Sequence, residues 1–267
     1  MQAQDDAVRD SDAAADALLE RFARLHAKLV KAPVDILLVG EDDALAPALD
    51  TLRGLPRAPA AESSIVLTTL PPAPAARGGA WFANSDVNFC AKAYAAVPQG
   101  APEAPALSVL ARLLTDGFLH PAVRERGGAY GGGASFDSDS GTFAFYSYRD
   151  PRLLDTLADF DRALDWLGTP AAADARLLEE AILGVIRGLD KPRSPAGAAV
   201  HAFYSELHGR TPAFRTRFRQ QVLATTLADL RAAAARYLLP AQAAIGVVTH
   251  AGERSTIEHM GLPQFAF

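Results

Sequence analysis

The chain has 267 residues, of which 49% are hydrophobic and 21% charged, the composition of a globular protein with one or two domains and a sizeable core. Its formal net charge of −5 excludes the basic field that binding to nucleic acid or to an anionic membrane requires. The single cysteine, Cys90, excludes an internal disulfide and a cysteine-ligated zinc site.

The first 20 residues are acidic and polar, and no apolar run reaches the roughly 20 residues that span a bilayer. We therefore expect no export signal and no membrane partner in this sequence. A cytoplasmic or organelle-matrix location follows as the expectation.

Residues 1–55 have a helix-strand-helix pattern. Apolar side chains share one face of a helix predicted over 12–31, namely Leu18, Phe22, Leu25 and Leu29. The apolar run Val34–Val39 predicts a strand, and a second helix is predicted through Leu45, Leu49 and Leu52. A lone strand leaves its backbone groups unpaired, so this piece is expected to dock on something else, as the tail of a preceding domain would.

Residues 56–80 are rich in Pro, Ala, Ser and Gly, which predicts a linker carrying one short strand at Ile65–Leu70. The remaining residues, 81–267, are predicted to form one domain. Strands are expected at 86–96, 129–136, 142–149 and 242–248. Helices are expected at 105–118, 152–168, 174–190, 196–208, 213–223 and 227–238. Strands and helices are partly segregated, so the predicted class is α+β, an antiparallel sheet with a layer of helices on one face.

The most unusual segment runs from Val123 to Gly133, where five glycines cluster between a predicted helix and a predicted strand. Glycine admits positive φ and lets another backbone approach closely. The segment is therefore either an edge that faces a ligand or a flexible turn from helix to strand. A phosphate loop is excluded, because no Gly-Lys-Ser/Thr follows and a strand, not a helix, comes next.

The run from Val123 to Gly133, followed by Ser135–Phe143 and by Tyr146–Pro151, resembles the last domain of presequence proteases, in the pitrilysin and insulinase family of zinc peptidases. The resemblance implies a mitochondrial-processing-peptidase-like metallohydrolase domain. In such enzymes an N-terminal half carries zinc and a C-terminal half closes over the peptide. This chain would then be the C-terminal, substrate-binding part of a metalloendopeptidase that degrades short unstructured peptides.

The same resemblance implies the site residues. The family's C-terminal half contributes an arginine and a tyrosine, which match Arg124 and Tyr130, and Arg126 is close enough to be an alternative for the arginine. A guanidinium and a phenol can both donate to an oxyanion. Substrate binding along a glycine-rich edge, as an added strand, would involve Gly127, Gly128, Ala129 and Gly131.

No His-x-x-Glu-His motif occurs among the six histidines, so no metal ligand and no cofactor is assigned to this chain. The resemblance places zinc in an N-terminal half, which is the expected partner together with a peptide substrate. That half could lie on the same polypeptide, or this chain could be a separate zinc-free partner subunit. A structural role, as in silent relatives within respiratory complexes, is the third alternative. The isolated chain is expected to be inactive.

Overall fold

A computed structural model describes residues 11–32, 34–54 and 78–266. The strands are β1 Gly79–Phe82, β2 Asn88–Ala95, β3 Gly131–Asp137, β4 Thr142–Asp150, β5 Ala244–Thr249 and β6 Gln264–Ala266. The α-helices are α1 Asp12–Val30, α2 Asp42–Arg53, α3 Ala104–Leu114, α4 Leu154–Leu167, α5 Ala175–Leu189, α6 Pro195–Leu207, α7 Pro212–Leu223, α8 Leu227–Tyr237 and α9 Arg254–His259. A π-helix, Thr115–Arg126, directly continues α3.

The chain divides into two compact units. Of the described residues, one unit comprises 11–32, 34–54 and 192–211 and includes α1, α2 and α6. The other comprises the described residues 78–191 and 212–266 and contains the six strands of the sheet. The segment 192–211 was expected to belong with 81–267, whereas in the structure it groups with the N-terminal residues.

In the first unit, α1 and α2 bury none of their described side chains, and Phe22 on the apolar face of α1 is 57% exposed. The strand predicted at Val34–Val39 does not form, and these residues have no regular secondary structure. Among the described residues no neighbouring strand pairs with this segment, and an isolated strand cannot satisfy its backbone groups. The strand predicted at Ile65–Leu70 lies outside the described residues.

In the second unit, six strands form one sheet in the order β3-β4-β2-β5-β1-β6. The four strands from β3 to β5 pair antiparallel, and β1 pairs parallel with both β5 and β6. The four strands predicted from the sequence therefore share one mostly antiparallel sheet, as expected. Strands β1 and β6 were not predicted, and Gly79 and Ala80, assigned to the linker, belong to β1.

The helices bury one face of this sheet. Along β2 the side chains of Asn88, Cys90, Lys92 and Tyr94 are buried, whereas the alternate residues are more exposed. Leu107, Leu110 and Leu114 of α3 are fully buried against the core, as their helical spacing predicts. The fold is α+β, with an antiparallel sheet and a layer of helices on one face, which confirms the predicted class.

Cys90 behaves as an apolar core residue. Its side chain is 2% exposed, and burial raises the pKa of its thiol to about 12. The thiol is therefore neutral at physiological pH and unsuited to nucleophilic chemistry.

A buried polar network fixes the end of β4, next to the glycine-rich segment. The Asn88 amide donates to the Asp150 backbone oxygen at 3.2 Å and accepts from the Thr249 hydroxyl at 2.6 Å, which links β2, β4 and β5. The Thr156 hydroxyl donates to the Asp150 carboxylate at 2.8 Å, which joins α4 to the same point. Because each of these polar groups has a partner in the interior, the network holds Arg149 and Asp150 in a defined position.

The π-helix is the main local departure from the sequence prediction. The apolar spacing of α3 predicts a helix that ends at Phe118, yet the helical segment runs on to Arg126 with hydrogen bonds from residue i to i+5. Pro121 lies inside it. Helical structure therefore continues right up to the glycines, so that Arg124 lies on the last turn of a helix.

Candidate functional site

The glycine-rich segment forms a tight turn from the π-helix into β3. Gly128 has a φ of +80°, a conformation that L residues with a side chain rarely adopt. Its backbone N–H donates to the Arg124 oxygen at 3.0 Å, and the Ala129 N–H donates to the Val123 oxygen at 3.1 Å. These two bonds close the end of the helix and set the position at which Tyr130 leaves it.

Close packing explains the glycines on either side of this turn. A Cβ on Gly127 would collide with the Arg152 guanidinium and with the Val123 backbone oxygen. A Cβ on Gly131 would collide with the Tyr148 ring, and one on Gly132 would lie 2.9 Å from both the Tyr146 oxygen and Val123 Cγ1. Packing alone therefore accounts for these glycines, and their contact with a substrate stays a prediction.

Tyr130 points its side chain into solvent and is 64% exposed. Its backbone N–H donates to the Arg149 oxygen at 3.2 Å, which ties it to the end of β4. The Tyr148 ring meets the Tyr130 ring edge-on at 5.5 Å between centroids, and the Arg149 guanidinium lies 5.8 Å from the Tyr130 ring centroid. The phenol is therefore supported on its ring while its hydroxyl stays available.

Arg149 itself has an unusual backbone, with a φ of +50°. A positive φ is costly for a residue with a side chain and persists where the surrounding structure fixes it. Here the fixed end of β4 and the bond from Tyr130 supply that restraint. No sequence pattern singles out Arg149, although it lies within the Tyr146–Pro151 run that carries the family resemblance.

Arg124 is exposed on the last turn of the π-helix, and its Nη1 lies 3.2 Å from His120 Nε2. Arg126 is also exposed and makes no hydrogen bond or ion pair among the described residues. Arg124 and Tyr130 share no hydrogen bond with each other, but both present donors to solvent from the two ends of one tight turn. Such a pair can donate hydrogen bonds to an oxygen that carries, or is gaining, a negative charge.

The edge of the sheet beside this turn is partly closed. β3 is an edge strand of the described sheet, because β4 is the only strand within the described residues that pairs with it. Thr115, at the start of the π-helix, accepts from the Ala134 N–H at 2.8 Å, and its hydroxyl lies 2.8 Å from the Ala111 oxygen and 3.2 Å from the Ala134 oxygen. A peptide added as a further strand could not use Ala134, so the glycine end of β3 is the part left for it.

No metal centre is apparent in the part of the chain that the structure describes. Within 11–32, 34–54 and 78–266, no group of three or more His, Cys, Asp or Glu side chains is arranged to hold a metal ion. Likewise, no helix in these ranges is both long and apolar enough to span a bilayer. Zinc, which the family resemblance implies for the whole enzyme, does not fit the residues described here.

The fold matches that of known peptidases. A protease from Helicobacter pylori superposes with a TM-score of 0.61 at 16% identity, covering 79% of this chain and 53% of that chain. The peptidase M16 inactive domain from Pseudomonas fluorescens gives a TM-score of 0.58 at 20% identity, covering 79% of this chain and 51% of that chain. The fold is therefore that of a peptidase M16 domain.

Sequence comparison identifies a more specific family than the shared fold does. The model of the PreP C-terminal domain matches residues 80–252, more than half of the chain, and the chain belongs to this family. The mitochondrial presequence protease of Xenopus laevis is 37% identical over 171 residues, covering 64% of this chain and 16% of that protein. That of Drosophila melanogaster is 41% identical over 155 residues, covering 58% and 15%. The chain thus spans only about a sixth of the length of the presequence proteases that it matches.

We expect the purified 267-residue chain to hold no stoichiometric zinc. The described residues offer no set of three ligands, and zinc sites in proteins need three or four. Elemental analysis after exhaustive dialysis tests this expectation. One tightly held zinc per chain, together with chelator-sensitive cleavage of peptides, would contradict it.

Proposed function

We propose that this chain is the zinc-free, substrate-binding C-terminal part of a zinc-dependent metalloendopeptidase that degrades short unstructured peptides. A zinc-bearing half outside this chain would complete the enzyme. Membership of the PreP C-terminal domain family is the observation that carries the proposal. The relatives are named as mitochondrial, which supports an organelle matrix as the compartment that we propose.

The proposed chemistry of this chain is confined to hydrogen-bond donation. The Tyr130 hydroxyl and the Arg124 guanidinium would donate to the carbonyl oxygen of the bond being cleaved, as negative charge develops on that oxygen. Removing one such donor costs about 10²–10³ in turnover in enzymes of other classes. The exposure of both side chains, on a turn fixed by backbone hydrogen bonds, supports this role.

Substrate binding is proposed at the glycine end of β3. The backbone of Gly128 and Gly131 would lie beside the peptide, while Gly127 and the buried Ala129 would shape the turn from beneath. Because the Thr115 hydroxyl already bonds to the Ala134 backbone, the peptide would form only a short stretch of strand pairing. Short pairing suits an enzyme that accepts many unstructured peptides, since main-chain bonds carry little sequence preference.

Functional complementation tests the proposal. The 267-residue chain is mixed with the zinc-bearing half of its enzyme, and cleavage of an unstructured fluorogenic peptide is measured. We expect activity only when both parts are present, because each holds groups that the other lacks. Two folded parts that bind each other and still cleave no peptide would overturn the proposal.

A further inference from the structure

We propose that His120 is a positioning residue that orients the Arg124 guanidinium, and that the π-helix exists in part to place Glu125 on the other side of the same imidazole. This inference rests on the proposed function of Arg124. It is carried by a cluster of three side chains on the last turns of the helix. His120 Nε2 lies 3.2 Å from Arg124 Nη1, and His120 Nδ1 lies 3.3 Å from Glu125 Oε1.

The helix type explains why both partners reach one ring. In an α-helix, residues three and four positions apart are neighbours, and a residue five positions on points away. In the π-helix Thr115–Arg126 the repeat is wider, because hydrogen bonds run from residue i to i+5. Residues i+4 and i+5 then lie on either side of residue i. Arg124 is i+4 and Glu125 is i+5 from His120, so the two flank the imidazole.

The chemistry of the three groups fixes the state of the imidazole. A guanidinium can only donate, so His120 Nε2 must be the acceptor of the bond from Arg124. A carboxylate can only accept, so the proton of the neutral ring must be on Nδ1, facing Glu125. The order Glu125–His120–Arg124 therefore selects one tautomer, and that tautomer aims a lone pair at the arginine.

Positioning by His120 favours substrate binding because the Arg124 side chain is otherwise unrestrained. Its guanidinium has no other hydrogen bond or ion pair among the described residues, and a long exposed side chain loses rotamer entropy when a substrate fixes it. Holding the side chain before the substrate arrives reduces that loss. Arg126, two residues on, has no such partner in the described structure, which distinguishes the two arginines.

The first test reads the tautomer directly and needs no peptidase activity. Nitrogen-15 NMR of the labelled 267-residue chain should show His120, when neutral, with a protonated Nδ1 and a bare Nε2. Arg124→Ala and Glu125→Ala should each shift the population towards the other tautomer, since each removes one of the two partners of the ring, and Arg126→Ala should leave it unchanged. A predominantly Nε2-protonated ring in the wild-type chain, or no response to Arg124→Ala, would overturn the proposal.

The second test measures kinetics in the assembled enzyme. His120→Ala should lower kcat about threefold to fivefold with KM changed less than twofold, the size expected for an exposed charge-assisted bond. His120→Gln should restore most of the rate, since its amide oxygen can accept from Arg124. In an Arg124→Ala background, His120→Ala should have no further effect, because the two act through one bond.

The two tests separate the possible failures. If the tautomer is found as expected but Arg124→Ala keeps wild-type turnover, the proposed role of Arg124 fails, and with it the positioning role of His120. If Arg124→Ala lowers turnover but His120→Ala and His120→Gln behave alike, or add to Arg124→Ala, the positioning role alone is refuted.

Discussion

Tyr130→Phe should lower the turnover of the assembled enzyme by ~10²-fold or more while the fold stays intact. Only one hydroxyl is lost, and that hydroxyl is on a ring that is 64% exposed, so no buried group is left without a partner. The edge contact with Tyr148 and the Arg149 guanidinium engage the ring and not the hydroxyl, so Phe should keep both. Because the donor strengthens as charge develops, the loss should appear in kcat more than in KM.

Arg124→Ala should have an effect of the same kind. Its matched control is Arg126→Ala, which removes the same charge at a position two residues further along the chain. Arg126 has no hydrogen-bond or ion-pair partner in the described structure. Steady-state kinetics of the three variants, each with a circular dichroism spectrum like that of the wild type, makes the comparison. Near-wild-type rates for Tyr130→Phe and Arg124→Ala would reduce the segment to a structural turn.

Gly127→Ala should lower the free energy of unfolding of the sheet-bearing unit by about 1–3 kcal/mol. The new methyl group meets the Arg152 guanidinium and the Val123 backbone oxygen, and the backbone oxygen cannot move aside as a flexible side chain would. Arg152 in turn pairs with the buried Asp159 at 3.0 Å, so displacing it disturbs an interior ion pair. A melting temperature lower by roughly 3–10 °C is the expected readout.

Gly188→Ala is the control for this substitution. It makes the same chemical change in the exposed last turn of α5, where an added Cβ meets nothing within 4 Å. There alanine should be neutral or stabilising by up to about 1 kcal/mol, because it lowers the entropy of the unfolded chain. Equal melting temperatures for Gly127→Ala and Gly188→Ala would show that the turn is not closely packed.

Sequence periodicity predicted most of the sheet and of its helical layer within about two residues. The alternation through β2, from Asn88 to Ala95, and the stripe from Leu107 to Leu114 each report which face is buried. Burial of one face is a local property, so the local pattern is enough to find these elements. The class of fold followed from their order along the chain.

Pairing between distant segments could not be predicted in this way. β1 and β6 have four and three residues, too few for an alternation to be recognised, and they are strands because β5 and β1 lie beside them. The run Val34–Val39 gave the opposite error, since it has strand composition but no partner among the described residues. A strand forms only where another strand lies beside it, and that neighbour is set by the tertiary structure.

The features of the candidate site likewise fall into those that the sequence predicts and those that only tertiary contacts set. By itself the sequence determined which donors to consider, Arg124 and Tyr130, and that glycines cluster around them, because residue types and a family motif can be read from it directly. That Gly128 needs its positive φ and that Gly127 has no room for a side chain was decided by the tertiary structure. Only the tertiary structure decided that His120 and Glu125 flank one ring on a π-helix, that Arg149 lies over Tyr130, and that Thr115 closes part of the β3 edge. These contacts depend on helix type and on the approach of segments up to 19 residues apart, which no local pattern records.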